Sequence, residues 1–110
     1  MPPLTPAVVH VLLSLAEGER HGYAILKDVE RQTEHRVKLG PGTLYGTLQR
    51  LMELGWVEET DGPAEPVDQR RRYYRLTRGG REALRAEVAR LEAVIDAARA
   101  RRIVPRTTRG

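Results

Sequence analysis

The last third of the chain is written as one long helix. Thr77 can cap its free amides. Leu84, Val88, Leu91, Ile95 and Ala98 follow at spacings of four and three, the heptad rhythm of a helix that packs against another helix. Pro105 ends the pattern, which reaches about Arg102. A helix of about 26 residues is roughly 39 Å long at 1.5 Å per residue. The roughly 75 residues that precede it cannot cover that length. Its apolar seam, Leu84, Val88, Leu91, Ile95 and Ala98, is therefore expected to pair with a second copy of the chain.

Upstream, three shorter helices and a hairpin are expected. Thr5 and Pro6 suit the start of the first helix. Val8, Val9, Val11, Leu12, Leu13 and Leu15 cover more than one face, so this helix should lie deep in a core or be shared between subunits. Gly18 stops it, and Gly18 to His21 reads as a short joining turn. The second helix runs from about Gly22 to Glu34, with an inward stripe of Ile25, Leu26 and Val29. Lys27, Asp28, Glu30, Arg31 and Gln32 are expected to face water, and Tyr23 to pack between helices. His21 is a candidate cap. The third helix follows Leu39-Gly40-Pro41-Gly42. Leu44, Leu48 and Leu51 share one face, and Gly46, Arg50 and Glu53 lie opposite. Trp56 to Glu59 and Arg71 to Leu76 read as paired strands around a turn-rich tip. Trp56 and one of Tyr73 and Tyr74 are expected in the core.

Charge is segregated. Residues 1–66 carry a net −4 and residues 67–110 a net +8. Of 19 basic residues 17 are Arg, a bias that a GC-rich genome also produces, so the clustering matters more than the residue type. The chain has no cysteine, hence no disulfide, thiolate nucleophile or zinc–thiolate site. His10, His21 and His35 lack metal-ligand spacing. Gly40-Pro41-Gly42 lacks the Lys-Ser/Thr of a phosphate-binding loop. No nucleophile, base or acid pair stands out, so no catalytic residue, metal or cofactor is expected, and the chain is not read as an enzyme. The longest mostly apolar run, Ala7 to Ala16, is half the length that spans a bilayer, and no basic segment precedes it. A cytoplasmic protein is expected.

Helix, helix, helix, hairpin, long helix is the order of a winged helix-turn-helix: a mainly α fold with a small β-hairpin and a C-terminal dimerisation helix. Residues 1–76 would form the DNA-binding domain, 77–104 the dimerisation helix, and 105–110 a flexible tail. A helix fits the major groove, braced by the helix before it. Thr43, Tyr45, Gly46, Gln49 and Arg50 form the candidate recognition surface. Gln49 can pair with adenine, and Arg50 with guanine or phosphate. Gln69, Arg70, Arg71 and Arg72 form the candidate phosphate-gripping wing. Tyr23 and Lys38 are placed where they can reach the DNA backbone.

The residues also resemble a known family. Leu4-Thr5, His21-Gly22-Tyr23, Gly42-Thr43-Leu44-Tyr45 with Leu48 and Arg50-Leu51, Gly55-Trp56-Val57, Tyr73-Tyr74-Arg75-Leu76-Thr77 and Gly80 look like the PadR family of transcriptional regulators. The resemblance covers residues 4 to 100 and points to its small subclass with a single C-terminal helix. It implies a homodimeric DNA-binding regulator, usually a repressor, whose last helix dimerises, often against the partner's first helix. Some relatives take aromatic effectors between subunits. Here the last helix has no aromatic residue and the only Trp begins the wing, which argues against an aromatic-lined pocket; any small-molecule effector is unidentified. The expected function is sequence-specific binding of double-stranded DNA by a homodimer on a near-palindromic operator. The alternative is a winged-helix adaptor that binds protein without specific DNA binding.

Overall fold

Thr5 starts the first helix as its side chain suggests: the hydroxyl accepts from the Val8 amide at 3.2 Å, and Pro6 occupies the first turn. In the computed structural model, which describes residues 4–62 and 72–105, the elements are α1 (Pro6–Ala16), β1 (Arg20–His21), α2 (Gly22–Gln32), α3 (Pro41–Glu53), β2 (Val57–Thr60), β3 (Tyr73–Leu76) and α4 (Arg78–Ala100). Val11, Leu12 and Leu15 of α1 meet Ile25 and Val29 of α2, Leu44, Leu48 and Leu51 of α3, Val57 and Tyr74 of the sheet, and Leu84 of α4 in one core. Each such aliphatic side chain contributes about 1.5–3 kcal/mol through burial.

The sheet has three antiparallel strands in the order β1-β3-β2, where a two-stranded hairpin was expected. The turn after α1 holds the extra strand: Arg20 pairs with Tyr74 and His21 with Tyr73. Two residues are too short to show the alternation by which a strand is read. The wing pair aligns Val57 with Leu76, Glu58 with Arg75, Glu59 with Tyr74 and Thr60 with Tyr73. Trp56 precedes β2 and is only partly buried, less than expected.

Two helices end earlier than their patterns suggest. After α2, the Thr33 hydroxyl donates to the Val29 carbonyl at 2.8 Å and accepts from the Val37 amide at 3.1 Å. Glu34 and His35 then take positive φ values of 53° and 67°, which reverses the chain. At the end of α4, Arg102 has φ 61°, and the Ile103 amide donates back to the Ala98 carbonyl at 2.8 Å. This is the left-handed close that satisfies late helix carbonyls.

Asp28, expected to face water, is buried. Arg31 donates to one carboxylate oxygen at 3.1 Å and Gln32 to the other at 3.0 Å. The buried Ser14 hydroxyl of α1 has no partner in strict hydrogen-bonding geometry; the Asp28 carboxylate is the acceptor it faces. Burial alone would raise the carboxyl's pKa, but Ser14, Gln32, Arg20 and Arg31 together hold it below its ordinary value. Gln32 also binds the His10 carbonyl and ring, so one polar chain ties α1 to α2.

The first turns of α4 enter the same core. The Thr77 hydroxyl accepts from the Gly80 amide at 3.0 Å and donates to the Gly55 carbonyl at 2.6 Å. A Cβ at Gly80 would overlap the Trp56 carbonyl, so only glycine lets the helix sit this close to the wing. Glu87 is buried and accepts from Arg90 at 2.6 Å. Arg90, with help from the Leu4 amide, holds the Glu87 carboxyl below its ordinary value.

Candidate nucleic-acid interface

The leucine face of α3 turns the rest of that helix outward. Leu44 and Leu48 are fully buried, and Thr47 joins them. Thr43, Gly46, Gln49 and Arg50 are all exposed on the other side. Apart from its chain neighbours and its own helix backbone, nothing lies within 4 Å of where a Gly46 Cβ would stand, so the middle of this surface is low and open. Among the described residues, neither Gln49 nor Arg50 is tied to a neighbouring side chain. Their donors are free for a ligand. Glu53 adds a negative charge at the far end of the same face.

Tyr45 divides itself between surface and protein. Its side of α3 is exposed, yet its ring lies 6.4 Å from that of Tyr74, and its hydroxyl end covers Gly22.

The second helix braces this surface. His21 caps it, its Nδ1 accepting from the Ala24 amide at 3.1 Å. Tyr23 does not pack between helices as expected. It is 59% exposed, with the Lys27 ammonium 5.5 Å from its ring centre. It lies one residue past the capped end, where a backbone phosphate could be met. A stripe of apolar residues at 25, 26 and 29 leaves position 23 on the outer side of the helix, a placement that helical spacing contains. Lys38 is exposed in the segment before α3.

The wing settles which tyrosine faces inward. Tyr74 is 1% exposed and Tyr73 is half-buried. The Tyr73 ring meets His21 edge-on at 5.4 Å. Arg75 is engaged across the strands by Glu58 at 2.7 Å, so it is a poor candidate for phosphate. Arg72 stands exposed at the start of the returning strand. Gln69, Arg70 and Arg71 lie outside the described residues. Burial pushes the Tyr74 phenol up, Glu59 and Tyr45 add to that effect, and Arg72 opposes it.

The seam residues of α4 are not equivalent. Leu84 is 6% exposed within its own subunit. Val88, Leu91 and Ile95 are exposed and Ala98 is partly so. Val94 is exposed beside them and escaped the sequence reading, because it lies one position off the strict heptad. Together they form a continuous uncovered stripe. Among the described residues, no group of three His, Asp or Glu could hold a metal ion, and no helix is long and apolar enough to cross a membrane.

A model of the transcriptional regulator PadR-like family matches residues 11–86. Transcriptional regulator Rv3488 of Mycobacterium tuberculosis is 38% identical over 85 residues, 76% of this chain and 74% of that one. An uncharacterized 37.1 kDa protein in transposon TN4556 of Streptomyces fradiae is 43% identical over 79 residues, or 70% of this chain. The match spans only 20% of that longer protein. The crystal structure of Bacillus subtilis PadR in complex with operator DNA aligns with a TM-score of 0.63 at 20% identity, covering 74% of this chain and 45% of that one. At that identity the likeness speaks for the fold.

Proposed function

The chain belongs to the PadR-like family of transcriptional regulators, and from that premise we propose that it represses transcription as a homodimer on a near-palindromic operator. The carrying observation is the outer face of α3. Thr43, Gly46, Gln49 and Arg50 are small or polar and exposed opposite a fully buried leucine row. Such a face can approach base edges closely, and Gln and Arg supply the paired donors that read them. Tyr45 borders that surface. Lys38 and Tyr23 flank it on the backbone side. Arg72, with Gln69, Arg70 and Arg71, supplies the phosphate grip of the wing. The operator complex of Bacillus subtilis PadR supports this use of the shared fold.

The uncovered stripe of α4 supports the dimer. Val88, Leu91, Ile95 and Ala98 would meet the partner, with Leu84 anchoring the helix in its own subunit. Two-fold symmetry then sets the half-sites about one helical turn, or 34 Å, apart. An effector that favoured one angle between subunits would shift that spacing and weaken binding.

The test uses a duplex enriched by the wild-type protein from a randomised library, with a scrambled duplex as control. Gln49→Ala and Arg50→Ala should each reduce discrimination between the two by about 1–3 kcal/mol. An equal loss on both duplexes would make these residues phosphate anchors, and no loss would overturn the assignment of α3. An adaptor reading would need a protein ligand for the same face, and nothing in its chemistry favours one.

A further inference from the structure

Three elements meet at Tyr45. The residue is carried by α3. Its hydroxyl end lies across Gly22, the first residue of α2, where a Cβ would overlap it. Its ring stands 6.4 Å from Tyr74 of β3 at an angle of 52°, within the range of favourable aromatic pairs. A second link closes the triangle. β1 pairs with β3 through Arg20 and Tyr74 and through His21 and Tyr73, and β1 runs directly into Gly22. The start of α2, the outer side of α3 and the wing strand are thus braced against one another.

Tyr74 is the inner corner. It is 1% exposed, so it cannot touch DNA. Its ring is the one that Tyr45 approaches. Burial pushes the phenol up. Arg72 is exposed where the wing returns from its tip. The buried tyrosine therefore lies between the wing strand that carries it and the recognition helix.

We propose that Tyr45 and Tyr74 form a strut fixing the angle between recognition helix and wing, which makes the buried Tyr74 a positioning residue for sequence discrimination. The inference rests on the DNA-binding reading above. Phosphate contacts set the register in which base contacts are made. A loosened wing still grips phosphate on any duplex, but it no longer holds α3 in one register. Discrimination then falls while affinity for arbitrary DNA persists.

The experiment compares wild type, Tyr74→Leu and Gly22→Ala on the enriched and scrambled duplexes by fluorescence anisotropy, with thermal midpoints measured in parallel. Tyr74→Leu removes the ring that Tyr45 approaches and keeps an apolar side chain in the core. It is expected to lose about tenfold in discrimination, with affinity for the scrambled duplex changed by less than about twofold. Gly22→Ala displaces Tyr45 and should do the same. A merely structural role would lower the midpoint and weaken both duplexes together, and that result overturns the strut. So does a folded Tyr74→Leu protein that discriminates as wild type does. If wild type prefers neither duplex, the DNA-binding reading itself has failed, and the strut falls with it.

Discussion

Leu84 and Leu91 stand seven residues apart on one face of α4, yet Leu84 is 6% exposed and Leu91 38%. Around Leu84 the helix is held by Gly80 against the wing and by Glu87 against Leu4. Beyond Glu87, among the described residues, Val88, Leu91, Val94 and Ile95 are all exposed. The heptad is one pattern serving two ends. Its first position anchors the helix at home, and the later ones carry apolar surface that a lone subunit leaves wet. A run of this kind marks an interaction surface. The spacing itself does not say where the change occurs; the packing of the preceding 75 or so residues does.

That contrast can be broken at either end. Leu91→Asp combined with Ile95→Asp places charges in the uncovered stripe and should leave the subunit folded but monomeric by sedimentation. Operator affinity should fall by orders of magnitude as the second half-site is lost. A variant that still sediments as a dimer refutes the interface. Leu84→Ala should do the reverse. It opens a cavity in the subunit core and costs about 2–4 kcal/mol of stability in denaturant titration, with the monomer–dimer balance of the remaining folded protein little changed. Equal effects from the two sites would erase the distinction between them.

The polar chain between α1 and α2 gives a smaller, pH-dependent effect. Asp28 has a folded pKa held below its ordinary value by its partners. Its contribution to stability is therefore full above the unfolded value, near about 3.9, and is lost as pH falls through the folded value. Asp28→Asn should be less stable than wild type at neutral pH, and the gap should close on acidification below about pH 4. Glu87 has the same sign, so the wild-type acid limb will not be removed entirely. A gap that stays constant with pH would mean that the Asp28 carboxylate charge contributes nothing.

Much of this was legible because it depends on neighbours in sequence. Thr5, His21 and Thr77 cap helices as their chemistry suggests, and Leu44, Leu48 and Leu51 point inward together. What escaped depends on contacts between distant segments. Strand β1 is two residues long and is recruited by backbone pairing to β3. Asp28 sits beside inward-facing Val29, and its burial is tolerated only because Ser14, Gln32, Arg20 and Arg31 converge on it. The close approach of Tyr45 to Gly22 joins residues on two helices, and no local pattern encodes it. Tyr23 is the opposite case: its outward placement follows from the stripe at 25, 26 and 29, so its exposure was legible in the helical spacing.

The most direct test is a titration of the enriched duplex with wild-type protein across a salt series, read by anisotropy and by sedimentation of the complex. Two protomers per duplex are expected, with clear preference over the scrambled sequence. Affinity should fall by about 0.9 log units per log unit of salt for each phosphate neutralised. A single subunit binding both duplexes alike, or an affinity indifferent to salt, would contradict the account.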